Sequence, residues 1–261
     1  MPRSAKCWAA MFIVMAFFTL AGPFFAAQWG DGLKSEAMAF SSGGPLGIGY
    51  DYLGRPLAPQ LFQGGAELLL SSLLTAVLSR LLGLGLGIYL ARHQQGARIL
   101  KFFLHVFLVL PMTVVSLASY QAFHGSVYAI VPAACALSLP FSSRYYAELV
   151  RPVFHSDYFT YASLRSVSFG RLVREEVLPV LSKNVLTDIS QAFITAIYML
   201  SSVSFLGNLS VQGKFLWPQM LASNRSGFSL NPWGTLAPLI AILLLTVPLG
   251  SFVDTLERRR G

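Results

Sequence analysis

Acid–base, metal and phosphate chemistry each need particular residue types brought within reach of one another, and this chain offers few of them. Glu175-Glu176 is its one acidic pair. Arg171 and Arg174 stand beside it, a setting for ion pairs along a helix face rather than for a general acid and base. The histidines His93, His105, His124 and His155 are scattered and give no metal-ligand cluster. His105 reads as an interfacial or packed histidine. Cys7 and Cys135 show neither ligand spacing nor a disulfide framework, so small apolar-type packing is expected of both. Gly83, Gly85 and Gly87 alternate, but no Lys-Ser/Thr follows them as a phosphate-cradling loop requires. Close helix packing is the better reading of these glycines. The G-x-x-x-x-G-K-[ST] motif occurs nowhere in the sequence. The expectation is no catalytic residue, no metal site and no cofactor in this chain.

Polar residues at helical spacing carry more. Asp188, Gln191, Thr195, Tyr198 and Ser202 are 3, 4, 3 and 4 apart, so they share one helical face. Inside an apolar segment such a stripe is costly, which points to the wall of a hydrated pathway. Hydrogen bonding to a neighbouring span uses the same residue types. Arg80 also lies within an apolar run, where a charge costs roughly 2.5–3.5 kcal/mol on insertion scales. It needs a partner, faces a cavity or a second subunit, or snorkels to the interface.

The elements that position these residues are membrane spans. The chain is 54% hydrophobic and 11% charged, with a mean hydropathy of +0.60; about 25% charged is usual for a soluble domain. Six apolar runs stand out: Trp8–Trp29, Leu68–Ala91, Phe102–Phe123, Val127–Ser143, Val185–Gly207 and Trp233–Val253. Most are long enough to cross a hydrocarbon layer of about 30 Å as helices. The fourth is the shortest and holds Pro132 and Pro140. The fold class expected is all-α integral membrane, a single domain over residues 1–261 with six transmembrane helices. Its external segments are 30–67 and 208–232. The first run resembles a signal peptide in its basic start and Ala26-Ala27, but it is long for one and is read as an uncleaved span. Spans three and four, separated by a few residues, should form a tight hairpin.

The net charge is +8. With the N-terminus inside, fourteen Lys and Arg fall on the inner side and four (Lys34, Arg55, Lys214 and Arg225) on the outer side, Arg80 being within a span. That asymmetry places both termini in the cytoplasm. Nucleic-acid binding is disfavoured, because no basic stripe is interleaved with exposed aromatics. The longest charged stretch is the inner loop 144–184. Within it, Tyr158–Arg165 reads as a short helix, Ser166–Gly170 as a turn, and Leu172–Val177 as a helix stopped by Pro179. Such a knob suits a soluble partner; a solvated positive-inside loop has the same composition.

The order Asp157-Tyr158, Ala162, Arg171, Val177-Leu178-Pro179 resembles the EAA loop of ABC-importer permeases, most closely the peptide/nickel family. Tyr161 stands where that family has its first Ala, Ser166 where it has Gly, and Gly170 comes four residues late. Gly49-Tyr50-Asp51-Tyr52-Leu53-Gly54-Arg55 is similar to the family's Gly-Thr-Asp-x-x-Gly-Arg. Ser204-Phe205-Leu206-Gly207 matches the end of its fifth span. Trp217 with Met220-Leu221 resembles its Trp-Gly-x-Met-Leu, Pro218 replacing the Gly. The likeness runs from about residue 45 to the C-terminus.

The resemblance implies a type I, MetI-like permease of the second subunit type, in the bacterial cytoplasmic (inner) membrane. It implies a related permease chain as partner, two cytoplasmic ATP-binding subunits that bind ATP and Mg, and an external substrate-binding protein. It also implies alternating access, with the fifth span lining the route. Asp157, Tyr158, Ala162, Ser166, Gly170, Arg171, Leu178 and Pro179 would form the ATPase-docking loop. Short peptides, nickel and metal–chelate (metallophore) complexes all fit as substrates. A stand-alone secondary transporter or channel is the competing class and would usually show an internal repeat; an intramembrane enzyme would need a paired set of catalytic groups within the spans.

Overall fold

A computed structural model describes residues 3–29, 34–93, 98–123, 127–157, 159, 161, 168–207 and 215–258. Helices α1 (Arg3–Ala26), α2 (Leu57–Arg92), α3 (Arg98–Val109), α4 (Met112–Ala122), α5 (Ile130–Phe154), α6 (Phe169–Leu172), α7 (Leu178–Gly207), α8 (Trp217–Asn224) and α9 (Trp233–Glu257) follow in chain order. A π-helical turn, Val173–Val177, joins α6 to α7. No strand occurs among the described residues; one isolated bridge pairs Tyr50 with Pro56. The fold is all-α.

Among the described residues, four helices are long and apolar enough to cross a membrane: Ser4–Ala26, Leu57–Arg92, Asn184–Leu206 and Trp233–Glu257. The third and fourth apolar runs differ from expectation. Phe102–Phe123 is two helices, α3 and α4, broken at Leu110-Pro111. A proline has no N–H to donate and pushes the residue before it out of the helical region. Pro111 instead caps α4, its carbonyl accepting the amides of Val114 (3.1 Å) and Val115 (3.2 Å). The run Val127–Ser143 is only the first part of α5, which continues through Arg144, Glu148 and Arg151 to Phe154. Arg144 therefore lies within a helix rather than at the start of a loop. The Arg151 guanidinium meets the Glu148 carboxylate at 2.8 Å on that extension. The link between spans three and four, residues 124–126, lies outside the described residues, but α4 and α5 do pack against each other.

Helix α2 starts eleven residues before its apolar run, directly after Pro56 and with Pro59 in its first turn, where a proline costs no helical hydrogen bond. Residues 57–67 of the segment expected at 30–67 are therefore helical. At about 1.5 Å per residue the 36-residue helix rises about 54 Å, more than a bilayer core of about 30 Å. It tilts or projects.

The most extensive packing is between α2 and α5. Apolar burial does not drive helices together in lipid, so small residues that permit close approach do that work. Gly83 lies against Ser142, and a Cβ on Gly87 would sit 2.6 Å from the Tyr146 Cβ and 2.9 Å from the Ser143 carbonyl oxygen. Ser79, four residues before Gly83, is buried and offers its carbonyl to the Ser142 hydroxyl at 3.5 Å. Gly85 points away, with nothing within 4 Å. The close-packing expectation thus holds for Gly83 and Gly87 and fails for Gly85, because only residues four apart share the seam.

Two buried clusters follow. One gathers Phe193, Ile197 and Leu200 of α7 with Leu68 of α2, Tyr120 of α4, Trp217 and Met220 of α8, and Leu245 of α9. The other joins Leu84 and Leu90 of α2, Tyr146 and Val150 of α5, Val177 of the π turn and Leu181 of α7. Outward faces are apolar: Ile13, Phe17 and Phe24 on α1 and Leu70, Leu74 and Leu81 on α2 are exposed, as a lipid-facing surface would be.

Candidate functional site

Arg80 does have a partner. Its Nε lies 3.0 Å from Asp188 Oδ2, an ion pair in which Nε makes no well-aligned hydrogen bond. The Tyr146 hydroxyl donates to the same oxygen at 2.7 Å. One carboxylate of α7 is therefore held from α2 and from α5. The two charged side chains remain 16% and 17% exposed because they border a cavity of about 460 Å³. Arg80, Phe141, Ser142, Tyr145, Thr187, Asp188, Gln191 and Glu257 line it. It lies toward the end of the bundle where α2 finishes at Arg92 and α9 at Glu257.

From Asp188 the polar stripe runs along α7. Gln191, Thr195, Tyr198 and Ser202 are exposed on the single chain. The Thr195 hydroxyl donates back to the Gln191 carbonyl (3.0 Å) and that of Ser202 to the Tyr198 carbonyl (2.8 Å). Bonds to the helix's own carbonyls leave those hydroxyls independent of neighbouring spans. Among the described residues, then, Asp188 is the one of the five that binds another helix. A second set of polar residues, Thr187, Ser190 and Ser204, faces inward and is buried. The 3-4 spacing of the outward set gave no hint of it.

Beyond the end of α5, Asp157 is helical and exposed, as is Tyr161. Tyr158, Ala162 and Ser166, and with them most of the helix expected at Tyr158–Arg165, lie outside the described residues. The turn expected at Ser166–Gly170 is not one at its described end. Ser168 is the N-cap of α6, its carbonyl accepting the amides of Arg171 (3.0 Å) and Leu172 (3.1 Å), and Gly170 is helical with open space around it. Nor does Pro179 stop a helix. It is the second residue of α7, and the chain is helical from Phe169 to Gly207. A proline early in a helical segment needs no donor partner, and the wider π turn before it absorbs the missing bond. Leu178 and Pro179 are exposed, Leu172 is buried, and Val177 and Leu181 are buried against α2 and α5. Arg171 Nε approaches Glu175 Oε1 at 3.3 Å, the helix-face pair expected; exposed as it is, such a pair contributes little.

Aromatics anchor this end. Phe154 meets Phe159 (centroids 4.9 Å apart) and Phe169 (6.2 Å), and the Arg92 guanidinium sits 3.9 Å over the Phe169 ring. A cavity of about 460 Å³ lies among Ala91, Arg92, Phe154, His155, Phe159, Phe169 and Leu172. Sequence reading missed this cluster; the interleaved Phe154, Phe159 and Phe169 were its only signal. His105 contacts Arg144 across α3 and α5, and no group of three or more metal-ligating side chains occurs among the described residues.

At the opposite end, motifs far apart in sequence converge. Asp51 is 1% exposed. Its Oδ1 accepts the amides of Leu53 and Arg55, both at 2.8 Å. Its Oδ2 accepts Arg55 Nε (2.7 Å) and Gln60 Nε2 (3.0 Å). Gly54 has φ +73 and packs against the Ala37 carbonyl, so both the conformation and the approach demand glycine there. Asn224 accepts the Tyr52 amide (3.1 Å), and Asn231 donates to the carbonyls of Ile48 (3.1 Å) and Tyr50 (3.2 Å). The Trp217 indole donates to the Leu61 carbonyl at 2.7 Å, its ring lying over Gly65. The Gly49–Arg55 and Trp217 segments thus build one cap over the end of α2.

Residues 83–261 match the family model described as binding-protein-dependent transport system inner membrane component. The chain is 25% identical over 198 residues to the peptide transport system permease protein SapC of Haemophilus influenzae, covering 75% of this chain and 67% of that protein. It is 24% identical over 211 residues to putative peptide transport system permease proteins of Brucella suis and Brucella abortus, covering 80% of this chain and 71% of each.

Proposed function

This chain belongs to the family of binding-protein-dependent transport system inner membrane components, and on that premise we propose that it passes short peptides inward as one half of a two-permease pore. It is the permease subunit of an ABC importer, a multi-pass inner-membrane protein and not an enzyme. Relatives named as peptide permeases support a peptide substrate over nickel or a metal chelate. In this reading the pore is completed by a second, related permease chain. Two ATP-binding subunits supply ATP and Mg from the cytoplasm, and an external protein delivers the substrate.

The observation that carries the reading is the exposed polar stripe of α7, leading to a polar cavity, on a helix continuous with the inner loop. Gln191, Thr195, Tyr198 and Ser202 would line the route together with Asp188. The stretch from Asp157 to Pro179 would receive the ATPase. Six crossings, counting α3–α4 as a broken span and α5 as the fourth, put both termini in the cytoplasm and the cap built on Asp51 and Trp217 outside. The positive-inside count supports that orientation. Alternating access then follows as a change in which side of the membrane the stripe faces.

The test is purification of the tagged chain in mild detergent, with mass spectrometry of what accompanies it. A second permease and two ATP-binding proteins are expected, together with ATP-dependent peptide uptake by the reconstituted complex. A homo-oligomer active without ATP would overturn the reading.

A further inference from the structure

We propose that the cavity at Arg80 and Asp188 is a binding site within the permease for the charged termini of a peptide: Asp188 takes the α-ammonium and Arg80 the α-carboxylate. The inference rests on the peptide reading above and deepens it. A buried ion pair is seldom retained for stability, since apolar residues of similar volume do as well or better, and charges inside a span usually mark a ligand or ion path. This pair is only half used. Arg80 approaches Asp188 through Nε, which leaves the two terminal nitrogens of the guanidinium fork, the geometry that grips a carboxylate. Both contacts to Asp188 fall on Oδ2, leaving Oδ1 as an acceptor.

The Tyr146 hydroxyl is fixed at 0% exposure, so the carboxylate is held in place without a ligand. Gln191 and Ser142 add neutral polar groups to the same wall, and Glu257 adds a second negative charge. The site therefore offers one positive and two negative groups around about 460 Å³, within the range of small-ligand sites of roughly 300–1,000 Å³. An extended dipeptide or tripeptide of about 7–11 Å bridges the outer sides of the pair, its carboxylate on the terminal nitrogens of Arg80 and its ammonium on Asp188 Oδ1. A peptide bound there keeps the Arg80–Asp188 contact and pairs both of its own termini, which lowers the cost of carrying a zwitterion through an apolar wall. On the orientation proposed above, the site lies at the inner end of the route, past the stripe.

The experiment uses the complete reconstituted importer carrying Phe141→p-benzoylphenylalanine at the cavity wall, and a radiolabelled alanine tripeptide as probe. Light-driven cross-linking of the tripeptide to the permease is expected. Excess unblocked tripeptide should compete it away, whereas its N-acetyl, C-amide form should not. Asp188→Asn and Arg80→Gln, in complexes that still copurify with their ATPases, should each lower labelling at least fivefold. The variants should also split by terminus. Asp188→Asn loses discrimination against the N-acetyl peptide as competitor, and Arg80→Gln against the C-amide, a split that a purely structural ion pair would not produce. No cross-link, or equal competition by blocked and unblocked forms in the unaltered background, would overturn the inference. If either single variant fails to assemble, the competition result in the unaltered background decides. Peptide uptake by the same preparation is measured first. Uptake without specific labelling removes only this inference, and absence of peptide uptake removes the peptide reading itself.

Discussion

The Tyr146 hydroxyl and the Arg80 guanidinium converge on one oxygen of Asp188, at 2.7 and 3.0 Å. Three helices, α2, α5 and α7, are therefore tied at a single carboxylate. Tyr146→Phe keeps the ring and deletes the donor. A hydrogen bond to a charged group contributes about 1.5–3 kcal/mol, so the purified complex should lose several degrees of thermal stability while still assembling. A melting curve of the complex unchanged by the substitution would show that the bond contributes nothing.

Tyr198→Leu and Gln191→Leu are the cleaner tests of the stripe. Both side chains are exposed on the single chain, so replacement should leave expression and partner copurification intact while lowering substrate uptake severalfold. Asp188→Leu is less informative, because it strands Arg80 in the bundle; breaking a buried pair costs about 3–5 kcal/mol. Full uptake in both exposed variants would make the stripe a packing surface.

Glycine replacements along α2 should divide sharply. Gly87→Leu drives a side chain into Tyr146 and Ala147 and should cost about 1–3 kcal/mol or more from overpacking, read as lost yield or a lowered melting temperature. Gly85→Ala meets open space and should be neutral or slightly stabilising, since alanine is the better helix former by about 1 kcal/mol. Equal behaviour of the two variants would contradict the seam.

Gly170→Ile tests docking. No described residue lies within 4 Å of a Cβ placed there, so the permease itself should fold and insert as before. Copurification of the ATP-binding subunits should fall severalfold if α6 meets them. Retention of the ATPase at the original ratio would move the docking surface elsewhere.

Asp51→Asn should loosen the cap over the start of α2. The carboxylate accepts four hydrogen bonds while 1% exposed, and an amide can neither accept them all nor pair with Arg55. The loss expected is about 3–5 kcal/mol of local stability, seen as faster proteolysis of residues 34–56. Unaltered cleavage kinetics would argue against the cap.

Hydropathy and spacing were enough to read the helical class, four of the spans and the outward face of α7, because lipid imposes long apolar helices and a helix imposes its period. The remainder depended on what touches what. Pro111 was present in the third run, but only the fold shows that the chain breaks there rather than bending. A charge within an apolar run called for a partner, a cavity or a route to the interface, yet no rule of spacing selects Asp188, 108 residues later. The charges of α5 past Ser143 suggested a loop, since charge marks where apolar runs end; a helix can simply project from the membrane carrying them. Pro179 looked like a stop because a proline disfavours a helix interior, and the π turn that accommodates it has no sequence signature.

That π turn also sets a phase. From Phe169 to Gly207 the chain is one helical rod, roughly 55–60 Å long at about 1.5 Å per residue, and the rotational setting of its far half is fixed by the residue count in Val173–Val177. If those five residues closed as ordinary α-helix with no change in sequence, everything beyond them would wind by about 100°, one residue's share of a turn. Gln191, Thr195, Tyr198 and Ser202 would swing off their present bearing while every one of them remained in the sequence. The register of a five-residue turn at one end thus determines which way a row of side chains faces some tens of ångströms away.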